Sequence, residues 1–164
     1  MFKKSSNKGF TIVETLIVLA VVATILIIVL LAVPALQRNS RNTQAKSAAN
    51  TLAAGWAEQV TNGYAGSSGT APTFTAGSVT INGQAYKIPT GLTVNVNTTT
   101  SATVTYAATG GSASSVAPNS LVMVPGGTCP ASNSATASTV AGAGNQVAIY
   151  YPIEGVNQVG CIQG

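Results

Sequence analysis

Apolar and polar positions divide this chain of 164 residues into three parts. From Phe10 to Leu36 nearly every residue is Ile, Val, Leu or Ala, with Thr11, Glu14, Thr15, Thr24 and Pro34 as the main interruptions. No charge occurs from Thr15 to Gln37. At about 1.5 Å per residue, residues 10–36 rise about 40 Å, more than a bilayer core of roughly 30 Å. β-branched residues dominate, which disfavours an isolated helix in water, but in lipid the backbone must pair internally and helix is the expectation. Pro34 removes one intrahelical hydrogen bond and is expected to bend the helix there.

The period then changes. Between Gln37 and Asn62 the apolar positions are Ala45, Ala48, Ala49, Leu52, Ala53, Trp56 and Val60, a stripe at i, i+3/i+4 spacing. Arg38, Arg41, Asn42, Lys46, Asn50 and Gln59 are assigned to the opposite side. One face should lie on a core with Trp56 as its largest anchor, and Asn62-Gly63 ends the helix.

Residues Tyr64 to Gly77 read as a loop of Gly, Ser, Thr and Ala. Short strand signals follow. Val79-Thr80-Ile81 and Ala85-Tyr86-Lys87-Ile88 flank Asn82-Gly83, the pattern of a hairpin with a type I′ turn. Leu92 to Val96 and Ala102 to Tyr106 alternate, Gly110-Gly111 and a Ser-rich stretch separate them from Leu121 to Val124, and low complexity from Ala131 to Gly144 precedes Val147 to Tyr151. The fold class is therefore α+β: a long N-terminal helix, apolar in its first half and amphipathic in its second, packed on a small antiparallel β-sheet head. The divisions are residues 1–9, 10–36, 37–62 and 63–164, with room in the last for one modest core.

Composition narrows the function. Only 6% of residues are charged, there is no His or Asp, and the carboxylates are Glu14, Glu58 and Glu154. Acid–base pairs are hard to assemble from these, and the Ser and Thr residues lack a base, so no catalytic residue is assigned and the chain is read as a non-enzyme. Nucleotide-binding loops are absent and no cofactor is expected. Glu58 reads as a solvated helix residue and Glu154 as a surface charge at a strand end. After Lys46 the one basic side chain is Lys87, so the head has no basic stripe and nucleic acid is not an expected partner. Asn97-Thr98-Thr99 matches a glycan acceptor pattern, a weak signal in so Thr-rich a chain.

Glu14 is the anomaly. A carboxylate at membrane depth costs about 2.5–3.5 kcal/mol on insertion scales, so it marks function or a partner. Its context is Lys8-Gly9-Phe10-Thr11-Ile12-Val13-Glu14, preceded by the basic stretch Met1-Phe2-Lys3-Lys4-Ser5-Ser6-Asn7. This resembles the prepilin signal of type IV pilins and type II secretion pseudopilins: a short basic leader ending in Gly, then an aromatic residue and a Thr-Ile/Leu-x-Glu run opening an apolar helix. The resemblance covers about the first third of the chain.

That resemblance implies cleavage between Gly9 and Phe10 and N-methylation of Phe10 by a prepilin peptidase and methyltransferase. It implies a leader-in orientation, residence in the cytoplasmic membrane as a precursor, delivery to an assembly platform, and an extracellular pilus serving adhesion, motility or secretion. Cleavage would remove Lys3, Lys4 and Lys8, and most of the formal charge of +4 with them. The new amine of Phe10, with a reference pKa of about 7.7–8.0, would be largely cationic, and Glu14 would meet that of a neighbour as identical subunits stack into a filament. In such an exported chain Cys129 and Cys161 read as one disulfide, worth roughly 3–4 kcal/mol in the chain-entropy model. Two thiols without His or Asp do not make a metal site. The alternatives are a pseudopilin or minor pilin, or a membrane-anchored monomeric binding module. The major pseudopilin's calcium loop needs acidic residues that Glu154 alone cannot supply.

Overall fold

The computed structural model describes residues 9–63, 71–75, 77–98, 103–106 and 114–164. The leader up to Lys8, residues 64–70 and 76 of the expected loop, Thr99 of the acceptor pattern and the Gly110-Gly111 separator lie outside the described residues. One helix, α1 (Ile12–Thr61), precedes a series of short strands, giving an α+β chain that divides into two compact units after Gln37.

In the first unit α1 continues through Pro34 as a single element. Its large side chains are exposed along the whole run, from Ile12 at 79% to Leu31 at 75%. The interrupting hydroxyls are turned back on the helix: Thr15 Oγ1 donates to the Ile12 carbonyl, and Thr24 Oγ1 donates to those of Ala20 and Val21. Their polarity is therefore satisfied without water, as an apolar solvent requires.

The second unit holds the rest of α1 and all the strands. In chain order these are β1 (Thr73–Thr75), β2 (Ser78–Ile81), β3 (Gln84–Lys87), β4 (Thr93–Val96), β5 (Thr103–Tyr106) and β6 (Ser115–Val116). They continue as β7 (Ser120–Pro125), β8 (Gly127–Thr128), β9 (Thr136–Ser138), β10 (Val140–Ala141), β11 (Val147–Ile153) and β12 (Gln158–Gln163). The central sheet has the order β12-β11-β7-β4; β1-β2-β3, β6-β5-β9 and β10-β8 form smaller ones. The expected hairpin is present: β2 pairs with β3, and Asn82 and Gly83 have φ of 49° and 79°, the two left-handed residues a type I′ turn requires.

The stripe on α1 does what its spacing predicts. Ala45, Ala48, Ala49, Leu52, Ala53 and Trp56 are buried with Val79, Ile81, Leu121, Met123, Val147 and Ile149. Gly63, at φ 88°, closes the helix. Small residues let the sheets approach closely, and at Gly55 a Cβ would come within 2.6 Å of the Tyr86 ring.

Three features differ from expectation. The sheets are mixed, because β4 runs parallel to β7 and β5 parallel to β6. A parallel pair needs a crossover, and the segment between β4 and β7 supplies one that contains β5 and β6. There are also two buried clusters rather than one modest core. Val122, Val124, Ala148 and Tyr150 point away from α1 into a second cluster with Val104, Val116 and Ala137. Hence β7 and β11 are apolar without alternation, the signature of strands covered on both faces. Finally, two stretches read as loop or low complexity contain strands: residues 64–77 hold β1, and the stretch after Ala131 holds β9 and β10.

Candidate functional site

The first candidate lies at the start of α1. Thr11 is its N-cap: the Glu14 N–H donates to Thr11 Oγ1 at 3.3 Å and to the Thr11 carbonyl at 3.1 Å. Thr-x-x-Glu is the sequence pattern of a capping box, a signal present at residues 11–14 that the reading from sequence did not use. A carboxylate in the first turn also faces the positive end of the helix dipole. Phe10 is 83% exposed, and with Glu14, Thr15, Val18 and Leu19 it lines one groove along the helix start. Phe10 and Glu14 thus share a side, and Glu14 is the charged group in a lining that is otherwise apolar except for Thr15. At Gly9 a Cβ would meet nothing within 4 Å among the described residues. The fold itself places no demand for glycine there.

The second candidate is a polar pocket of the head, about 410 Å3, lined by Arg38, Arg41, Tyr106, Glu154, Gly155 and Asn157. At its floor the Arg41 guanidinium grips Glu154 through Nε at 2.8 and 3.1 Å and Nη2 at 2.6 Å. Asn42 completes the clasp, donating to the Glu154 carbonyl at 3.2 Å and accepting from its N–H at 2.9 Å. Glu154 does follow the end of β11, but it is no surface charge: its side chain is 7% exposed, against 36% for that of Arg41. Arg41 and Asn42 likewise do not simply face solvent. The hydrogen bonds to Glu154 raise the Arg41 pKa above its ordinary value. Burial raises that of Tyr106, helped by the charge of Glu154 and opposed by Arg38 and Arg41.

Gln59 also departs from expectation, whereas Glu58 is an exposed helix residue as expected. Gln59 is 6% exposed; its Nε2 donates to Tyr86 Oη at 2.8 Å, and its Oε1 accepts from Asn82 Nδ2 at 3.3 Å. A glutamine can take a core position when both ends of its amide are satisfied. Tyr86 Oη in turn donates to exposed Glu58 at 3.1 Å, so Glu58 ties the helix to the β2–β3 hairpin. Burial raises the Tyr86 pKa. Asn97 is 8% exposed, a poor position for a glycan acceptor.

Cys129 and Cys161 are joined as a disulfide with Cα atoms 5.7 Å apart. It staples β12 to the segment after β8, and Gln163 reinforces the join by accepting from the Cys129 N–H at 2.7 Å. Among the described residues no three His, Cys, Asp or Glu side chains gather as a metal site.

Comparison with known families matches the start of the chain. Residues 4–30 fit the prokaryotic N-terminal methylation motif, which is the type IV pilin prepilin signal. That range contains Gly9, Phe10 and Glu14 and extends into the apolar run; the head lies beyond it. No curated protein and no solved structure matches the chain.

Proposed function

We propose that this chain is a structural subunit of a type IV pilus. It is made in the cytoplasmic membrane, cut between Gly9 and Phe10, methylated on the Phe10 amine and stacked through its apolar helix into an extracellular filament. The observation that carries this reading is the exposure of the whole apolar run behind a matched methylation motif. A helix with a window of mean hydropathy 3.5, none of it buried, needs lipid or copies of itself as solvent. A glycine that the fold does not require fits selection by a peptidase whose cleft admits no side chain.

In the membrane, Glu14 and the Phe10 amine are two costly charges near one leaflet. When a second subunit docks, the carboxylate of one pairs with the amine of the other in a low dielectric, which fixes register while the apolar flanks bury. The Thr11 cap leaves both Glu14 oxygens available for that partner, since its hydrogen bond goes to the Glu14 backbone N–H. Glu154 is committed to Arg41, which sets this head apart from the calcium-holding loop of the major pseudopilin.

The test is to shear cells, sequence the N-terminus of the filament protein and repeat with Glu14→Ala. Material beginning at Phe10, and loss of at least nine-tenths of the filaments in the variant with cleavage retained, is the expected result. Normal filament yield from Glu14→Ala would overturn the pairing; a mature chain that keeps its lysine-rich leader would overturn the processing.

A further inference from the structure

The polar pocket of the head has donors with no partner among the described residues. Arg41 is occupied by Glu154, and Asn42 saturates the backbone beside it. Arg38, Tyr106 and Asn157 line the same pocket, and their side chains make no hydrogen bond among the described residues. Glu154 cancels one of the two guanidinium charges, so the lining carries a net positive charge beside two neutral donors. That arrangement selects a compact anion with several acceptor oxygens, and an arginine fork matches a phosphate pair of oxygens in particular.

Position says where such an anion comes from. Arg38 follows Leu36, the last residue of the apolar run, by two places on one helix. If that run lies in hydrocarbon, Arg38 stands at the level of the lipid headgroups, where arginine side chains reach for phosphate. Ordinary snorkelling needs only the arginine. A concave site with a tyrosine hydroxyl and a carboxamide supplied by β5 and by the turn after β11 is more than snorkelling needs.

We propose that the Arg38–Tyr106–Asn157 pocket binds the phosphodiester headgroup of an anionic phospholipid while the subunit waits in the membrane. The bound lipid holds the head against the surface and is left behind when the chain is withdrawn into a filament. This rests on the membrane residence proposed above, not on polymerisation.

Native mass spectrometry of the full chain tests it, with the protein released from maltoside micelles that contain equal phosphatidylglycerol and phosphatidylcholine. The unchanged chain should retain one phosphatidylglycerol in preference. Arg38→Gln should lower that retention about fivefold and Tyr106→Phe about two- to threefold, whereas Lys46→Gln, the same charge loss outside the pocket, should change it less than twofold. Equal losses from Arg38→Gln and Lys46→Gln would reduce the effect to diffuse attraction and overturn the site. Displacement of the lipid by equimolar glycerol 3-phosphate would make the ligand a soluble phosphate ester. Occupancy that follows chain concentration would make it a second copy, and either result overturns the lipid assignment. Release of the chain from membranes by alkaline carbonate would sink the anchoring reading itself, a failure separate from loss of headgroup preference.

Discussion

Leu19 and Leu52 lie on the same unbroken helix, yet one is 64% exposed and the other fully buried. The residues around Leu19 are apolar on every side; those around Leu52 are apolar along one stripe and polar elsewhere. The second pattern is answered within the chain by two sheets. The first has no answer there, and at roughly 1.5–3 kcal/mol for each large side chain left in water the deficit is far larger than a domain's whole stability. One helix thus carries instructions for two solvents, a protein core after Arg38 and something outside this chain before it. The contrast can be attacked from either side by changes that should disturb one half and spare the other.

The largest expected effect belongs to the disulfide. Replacing Cys129 and Cys161, 32 residues apart, with serine should lower the stability of the head by about 3–4 kcal/mol. The single Trp56 reports head unfolding by its fluorescence, so urea titration of the full chain in detergent reads the change directly. Helicity of the apolar half, followed by circular dichroism beyond the head's midpoint, should be unaffected. A parallel loss of that helicity would mean that the halves are held by the same interactions, contrary to the contrast drawn above.

Next comes the same substitution made twice. Leu52→Ala should cost the head about 3 kcal/mol, within the range for a fully buried leucine beside a large neighbour. Leu19→Ala, read by the same probe, should move it by less than about 0.5 kcal/mol. Comparable effects at the two positions would erase the distinction.

Which parts of this were legible from sequence follows the same division. The apolar run, the stripe from Ala45 to Trp56, the Asn82-Gly83 turn and the main strands each leave a local signal in period or turn chemistry, and those elements appear where read. What was missed depends on partners far along the chain. Gln59 looked solvent-facing because its satisfaction comes from Tyr86 and Asn82. Glu154 looked solitary because Arg41 lies 113 positions away. Strands as short as β6, β8 and β10 have no period to detect, and two of those missed lie in Ser- and Ala-rich sequence that resembles a linker. The parallel pairing of β4 with β7 is a property of the path between them, invisible in either strand. At the helix start the reverse holds: the Thr11 cap was legible in residues 11–14 and was overlooked because the glutamate had drawn another explanation.

The smallest effect at neutral pH concerns a hydroxyl, and it sharpens the comparison in an unexpected direction. In the apolar half Thr15 and Thr24 bond back to their own helix, whereas in the core of the head Tyr150 Oη is buried with no hydrogen-bond partner among the described residues. Burial pushes the Tyr150 phenol up to about 12 from its ordinary 10.0. The unfolded chain gives up that proton near pH 10 while the folded chain keeps it. Between those two values the unfolded state therefore binds fewer protons, and stability must fall as pH rises, by roughly 2–3 kcal/mol once both have titrated. Below pH 10 the phenol adds no pH dependence. Tyr150→Phe should remove this part of the alkaline slope; Tyr86, Tyr106 and Tyr151, also raised, act in the same direction and leave a shallower one. At pH 7 the same change discards an unpaired polar atom while keeping the ring, so stability should hold or rise by up to about 1 kcal/mol. Urea midpoints at pH 7, 9 and 11 decide it. A loss above about 1 kcal/mol at pH 7 would show that the hydroxyl has a partner after all, and that the head core is as fully satisfied as the threonines of the apolar half.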